Sequence, residues 1–521
     1  MVALAVDDNS RQLNTRISSK KEDSANRCTH NIMKNRRPRW CVEPTPPFDR
    51  QHAEREVEHL GRSAQAVIWS EPSGDEFNIS VPPTVYPPRE DTDLLARVLG
   101  QLFPRPGSTW LEIGCGSGVL SLYAARNGCR VTACDINPFA VAATRRLLES
   151  NGLRGEVLEG GPGPSTDGHL GQWGGDRLYD TVVWNLPYLP TQDENAPHLG
   201  PMEEAALIDT DRTGLYDRFI KMVEEGRLLH AKGTAYLTVS SSHIGETACE
   251  RAWSAGLAAR IVAVQTFSDG ERLSVVQLWR PYCEAEGMVV ERVASTNTSL
   301  LNMDVPVGSS LRATHQTEGR GQRGRTWSSV EGAFMTSWKL DASSSSLLAT
   351  QGQVRLGAGM ARLFQHLCGP ENPPNICMKW PNDLYILMGE HGWMKGGGIL
   401  MEGATRGKNT SVVIGVGLNL DVPHDSDFAG LSSLGLQPSL GELFTMINAV
   451  IASVFENHGL GQCPEEHEAV ERQVRRGDSL LGPVIYRGGQ KAVKGLTSTG
   501  ELLFEDGAVV DDGNLLTWLN I

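Results

Sequence analysis

The sequence predicts two α/β regions in tandem: a parallel, doubly wound sheet first, then an α+β region ending in a small β-barrel. Three observations carry this. Strand-like and helix-like stretches alternate between Pro106 and Arg280. A new, β-rich pattern starts at Met288, and from about Arg476 short apolar runs are punctuated by glycine and aspartate. At 521 residues the chain is also too long for one ordinary core.

Taken in order, Met1 to about Thr45 is polar and reads as a disordered tail. Arg50–Ser63 reads as a short lead-in and the proline-rich Val81–Arg89 as a loop. Asp91–Leu102 reads as a helix with Leu94, Leu95, Val98 and Leu99 on one face. TWLEIG runs through a glycine turn into the helix GVLSLYAARNG, and CRVTACD is followed by the helix PFAVAATRRLLESNG. The apolar strand YDTVVWN, a long helix around Tyr216–Ala231 and the strands GTAYLTVSS and ERLSVVQLWR complete the first region. Pro281–Gly287 is the expected seam. Beyond it come the strands MVVERV and SVVIGVGLNL, the amphipathic helix GELFTMINAVIASVFENHG, and the short strands PVIYRG, KAVKGL and ELLFED. The predicted boundaries are 1–45, 46–285, 286–475 and 476–521.

Composition narrows the classes. A net charge of −14 gives no general attraction to nucleic acid, and 40% apolar residues suffice for real cores. The ten cysteines are scattered without CxxC pairs, as in a reducing compartment. There is no run of 18 apolar residues and no secretory pattern, so the expectation is a cytoplasmic chain without a membrane partner. Organellar targeting by the tail, with Arg11, Arg16, Lys20, Lys21, Arg36 and Arg37, stays open.

Three segments of the second half carry chemistry. Gly319–Trp327 (GRGQRGRTW) lets the backbone approach an anion, with Arg320, Arg323 and Arg325 supplying charge; taken alone it reads equally as a flexible RG-rich loop. Met378–Tyr385 (MKWPNDLY) combines a lysine, a ring, a proline and an amide–carboxylate pair, and Lys395–Leu400 (KGGGIL) sets a lysine before glycines. Either could be an ordinary surface turn. Their order is more specific: STN (Ser295–Asn297), Gln316, GRGxRG, KWPND, KGGGIL and VVIGVGLNL. That series, over about 230 residues, resembles the biotin–protein ligases or holocarboxylase synthetases.

The resemblance implies a fold like class II aminoacyl-tRNA synthetases with an SH3-like C-terminal barrel. It also implies ATP, biotin and Mg²⁺ as ligands and the biotin-accepting carrier domains of carboxylases as partners. It assigns biotin's polar groups to Ser295, Thr296, Asn297 and Gln316, and the covering loop to Gly319, Arg320, Gly321, Gln322, Arg323, Arg325 and Trp327. Lys395 stabilises charge at the reacting groups, with Arg323 and Arg325 beside it as catalytic residues. Asn382 and Asp383 position ligand or Mg²⁺, and Asn419 joins the binding set; the metal ligands themselves stay unknown. Some family members have Arg where this chain has Gln322, an exchange that removes charge beside the adenylate.

In the first half, LEIGCGSG (Leu111–Gly118) ends a strand and opens a helix, so a ligand's anionic end can meet the helix N-terminus. Asp135 ends the next strand, where a carboxylate can accept from ribose hydroxyls. A dehydrogenase-type Rossmann domain would show the same signs. WNLPYLP decides otherwise: Asn185 and the Leu186 carbonyl can accept from an NH₂ group, and Tyr188 offers a stacking face. With VYPPREDTDLL and CDINPFAV, these segments resemble S-adenosylmethionine-dependent methyltransferases of the HemK type, which modify glutamine in peptide release factors. The resemblance implies a Rossmann-like sheet, with Glu112, Gly114, Gly116, Gly118 and Asp135 on the methyl donor and Asn185, Leu186, Pro187 and Tyr188 on the acceptor. Leu186 replaces the proline of the family's NPPY, and NLPY also occurs in rRNA adenine methyltransferases. The acceptor order is therefore a release-factor-like protein glutamine first and a nucleic-acid adenine second, with a non-catalytic binding module as the competing class.

Overall fold

The computed structural model describes residues 63–102, 104–163, 173–187, 214–325, 327, 330–347, 351–369, 375–407, 409–423, 426–461 and 463–521. The expected disordered tail, 1–45, and the lead-in up to residue 62 lie outside them. Among the described residues no helix is long and apolar enough to cross a membrane.

The first region opens with an antiparallel hairpin, β1 (Gln65–Ser70) and β2 (Glu76–Val81), which the sequence reading did not contain. Helix α1 (Glu90–Gly100) follows, then β3 (Thr109–Ile113), α2 (Val119–Arg126), β4 (Arg130–Asp135), α3 (Pro138–Ser150), β5 (Glu156–Glu159) and β6 (Leu178–Asn185). After α4 (Leu215–Glu224) come β7 (Leu228–Ser240), α5 (Ala248–Ser254), β8 (Ala258–Thr266) and β9 (Arg272–Trp279). The sheet order is β5-β4-β3-β6-β7-β9-β8, parallel through β7 and antiparallel at β9 and β8. The order of strands reverses between β3 and β6, the kind of switch point at whose carboxyl ends open α/β sheets bind ligands.

One expectation needs correcting here. The helix expected to reach Ala231 stops at Glu224, because Gly226 takes φ +83° and Leu228 already begins β7.

The second region is built on another seven-stranded sheet. Its elements are β10 (Gly287–Val293), α6 (Thr296–Leu301), β11 (Ser310–Gln316), β12 (Phe334–Leu340), α7 (Gln351–Cys368), β13 (Ile376–Lys379), β14 (Asp383–Leu387), β15 (Trp393–Arg406) and β16 (Asn409–Leu418). The order is β10-β11-β12-β16-β15-β14-β13, antiparallel except for β10 beside β11. Helices α8 (Leu440–Phe455) and α9 (Pro464–Leu481) follow. Ser439 caps α8 in a capping box with Glu442.

The boundary expected between 475 and 476 falls inside α9, which ends only at Gly482, where φ is +82°. The terminal strands β17 (Val484–Tyr486), β18 (Gly489–Lys491), β19 (Val493–Leu496), β20 (Leu502–Phe504), β21 (Val509–Val510) and β22 (Leu516–Trp518) form two three-stranded sheets. Tyr486 and Phe504 stack between these sheets at 5.8 Å.

The seam at Pro281–Gly287 is a boundary in sequence but not in packing. Tyr282 is buried, and its ring lies so close to Gly308 that a Cβ there would sit on it. One continuous hydrophobic core runs from Trp253 and Trp279 to Phe364, Ile451 and Trp338.

Candidate functional sites

In the first region the glycine turn between β3 and α2 holds Gly114, Gly116 and Gly118 at φ +65°, +49° and +83°. These left-handed values cost glycine nothing. The turn is tied to β4 through Asp135, whose Oδ2 accepts from Gly116 N and Oδ1 from Asn137 N, both at 2.9 Å. Burial raises the Asp135 carboxyl, and these amides oppose the shift. Glu112 is buried behind the turn, and the Ser121 hydroxyl donates to it. Burial pushes its pKa up to about 8 despite that hydrogen bond. A Cβ on Gly116 would meet only Tyr86 O at 3.5 Å, so the turn leaves the open cradle that a nucleoside donor fits.

Asn185 ends β6 across the switch point from this turn. The Thr238 hydroxyl donates to its Oδ1 at 2.7 Å, and its Nδ2 reaches Thr92 Oγ1 at 3.5 Å. Thr92 in turn donates to the buried Asp91 at 3.2 Å. Thr238 thus fixes which amide atom is oxygen, and a second lone pair on that oxygen remains for an acceptor N–H. Leu186 is buried with its N–H on Thr238 O, and Pro187 ends the described segment. Tyr188 lies outside the described residues.

In the second region a cleft enclosing about 920 Å³, its open mouth included, gathers segments far apart in sequence. Ser295, Thr296, Asn297, Gln316, Arg320, Gly321, Gln322, Arg325, Trp327, Asn382, Asp383 and Lys395 all line it. Ser295 caps α6, and Thr296 N donates to Gln316 Oε1 at 2.8 Å. Asn297 accepts from Ser337 at 2.6 Å and donates to Glu402 at 2.8 Å, and Glu402 also pairs with Arg320 at 3.7 Å. Lys395 Nζ sits 2.7 Å from Asp383 Oδ1 and 5.2 Å from the centre of the Trp327 ring. That ring lies over Gly398 and Gly417, where any side chain would collide with it, and its Nε1 is buried without a partner. Gly319 is held against the Trp327 carbonyl, and the 322–324 turn contains Arg323, whose side chain is outside the described residues.

One assignment changes. Asn419 does not line the cleft: β16 ends at Leu418, and the Asn419 amide turns instead to Ala429 O at 3.2 Å. At the residues expected to position ligand or Mg²⁺, Asn382 gives its amide to Ile399 O and Asp383 pairs with Lys395.

Sequence reasoning missed several groups. Glu402 and Ser337 brace Asn297, and Gln353 on α7 accepts from Gln322 at 3.3 Å. Lys379, its pKa lowered by burial, and Gly513 and Asn514 from the turn between β21 and β22 also line the cleft. Only Lys379 had a signal, as the lysine of KWPND.

Comparison with known proteins agrees with this division. Residues 289–419 match the Biotin/lipoate A/B protein ligase family, and residues 111–165 match the family described as Methyltransferase domain. Biotin–protein ligase 1, chloroplastic, of Arabidopsis thaliana is 27% identical over 227 residues, covering 41% of this chain and 58% of the relative. Ribosomal RNA small subunit methyltransferase C of Chromohalobacter salexigens is 27% identical over 187 residues, covering 36% and 47%. The chain thus spans about half the length of these curated relatives. The biotin protein ligase from Aquifex aeolicus in complex with biotin and ATP aligns at 23% identity over 44% of this chain and 97% of that one, with a TM-score of 0.33. The chain carries a methyltransferase domain followed by a biotin/lipoate ligase domain.

Proposed function

We propose that this chain is a bifunctional enzyme that biotinylates a carrier lysine and transfers a methyl group to an acceptor nitrogen. The observation carrying the ligase half is the cleft that joins Thr296, Asn297 and Gln316 to Arg320, Trp327 and Lys395. A biotin carboxylate attacks the ATP α-phosphate, pyrophosphate leaves, and the amine of the carrier lysine then attacks the acyl carbon as AMP leaves. Thr296, Asn297 and Gln316 hold the biotin end, and Lys395 and the arginines of the loop neutralise charge at the carboxylate and phosphate. The acceptors are biotin-accepting carrier domains; the name of the Arabidopsis relative supports a protein acceptor.

In the methyltransferase half, S-adenosylmethionine supplies an electrophilic methyl group. Gly114–Gly118 and Asp135 bind and orient the donor. Asn185, set by Thr238, accepts an N–H of the acceptor and aims its lone pair along the transfer path. The net charge of −14 gives the chain no general attraction to phosphates, which supports a protein glutamine acceptor. The relative named for ribosomal RNA supports a nucleic-acid acceptor as the second reading.

The deciding experiment incubates the full chain with radiolabelled S-adenosylmethionine and either a release factor or adenine-containing RNA and DNA, beside Asn185→Ala. Label on the release factor that disappears in the variant supports the glutamine reading. Label only on nucleic acid overturns it. Donor binding without transfer to either favours a binding module. Biotin-dependent exchange of pyrophosphate into ATP, abolished in Lys395→Met, tests the ligase half separately.

A further inference from the structure

We infer that the methyltransferase half is an obligate structural partner of the ligase half, the two folding and unfolding as one unit. Domains that move against each other meet through modest, polar, wet surfaces. This junction is different, because each half satisfies polar groups that the other buries.

Ser453 on α8 accepts from Trp253 Nε1 and from Ala259 N, both at 2.9 Å, in fully buried hydrogen bonds. Arg260 of β8 is buried; it donates to the backbone carbonyls of Glu456 and, at 3.2 Å, Leu460, and lies 4.5 Å from the Trp279 ring centre. Trp279 Nε1 reaches Glu456 Oε2 at 2.8 Å, and Gln277 Nε2 reaches His458 O at 2.8 Å. Arg362 of α7 is held between Glu250 of the first half, at 2.6 Å, and Glu466 of the second, at 3.2 Å. Separating the halves would strand a buried guanidinium or carboxylate, or flood the cluster with water. The same helix α7 carries Gln353, which holds Gln322 of the cleft loop, so the junction and the ligase cleft share one rigid element.

The test is hydrogen exchange on the full chain carrying Val183→Ala. Val183 is fully buried in β6 and belongs to a separate cluster from the junction core. Trimming it is expected to speed exchange of the slowest amides in β6 about tenfold, and those in β16 by the same factor. Faster exchange in β6 with β16 unchanged would overturn the inference. Ser453→Ala, at the junction itself, is expected to lower protection in both strands equally. Loss confined to either strand overturns it as well, as would two separate calorimetric transitions of the full chain in place of one.

Discussion

The two clefts use glycine differently. In the methyltransferase turn, Gly114, Gly116 and Gly118 are required for φ between +49° and +83°, values that a side chain makes strained whatever the space around it. In the ligase cleft, Gly398, Gly415 and Gly417 have ordinary strand backbone, and their role is the missing Cβ: at Gly417 it would lie 2.6 Å from the Trp327 ring. One site is shaped by backbone conformation and the other by space. The difference follows from architecture. A parallel sheet presents loops at its strand ends, whereas the antiparallel sheet presents a strand face as the wall of its cleft.

The largest effect should come where both reasons coincide. Gly118 has φ +83°, and its Cβ would come within 2.9 Å of Thr144 Cα. Gly118→Ala should abolish donor binding, read by calorimetric titration, and lower stability by about 3 kcal/mol. An unchanged melting temperature would break the comparison. Lys395→Met removes the cation paired with Asp383 and should reduce the rate of adenylate formation about 10²–10³-fold. A change confined to KM would count against a role at the reacting groups.

Gly417→Ala leaves the backbone unstrained and should instead displace Trp327, slowing adenylate formation about 100-fold with little loss of stability. If its melting temperature falls as far as that of Gly118→Ala, the distinction between space and conformation is wrong. Thr238→Val frees the Asn185 amide and should lower methyl-transfer kcat about tenfold without changing KM, with Thr238→Ser restoring it. A valine variant of full activity would show that Asn185 needs no orienting partner.

A separate effect is on pH dependence. Glu112 has a carboxyl raised by burial to about 8 in the folded chain, against 4.5 as its ordinary value. Between those values the folded state keeps a proton that the unfolded state has lost. The resulting stability is fully present below pH 4.5 and is lost as pH rises to about 8. The chain should therefore melt higher at pH 6 than at pH 8.5, and Glu112→Gln should flatten that slope. A slope identical in the variant would assign the effect to another group.

Much was legible before any coordinates. Glycines at Gly114, Gly116 and Gly118 between a strand and a helix can serve few local conformations, so the turn followed from residue type and order, whereas the bond from Gly116 N to Asp135 did not. The helix α8 followed from its apolar spacing, and the structure adds the Ser439–Glu442 cap. Local chemistry also misled, as at the helix that Gly226 cuts short and at Asn419, which belongs to a motif by sequence but turns away from the cleft.

The amino-acid sequence by itself determined the α/β character of both regions, the order of the motifs, and the glycine turn between β3 and α2. Those properties are written in spacings of a few residues, set by backbone sterics and side-chain periodicity. Only the tertiary structure decided that Glu402 and Ser337 brace Asn297, that Thr238 orients Asn185, and that Ser453, Arg260 and Arg362 lock the halves together. These pairings join residues tens to hundreds of positions apart. They form because burying each polar group demands a partner, and which partner arrives is fixed by how the sheets and helices pack.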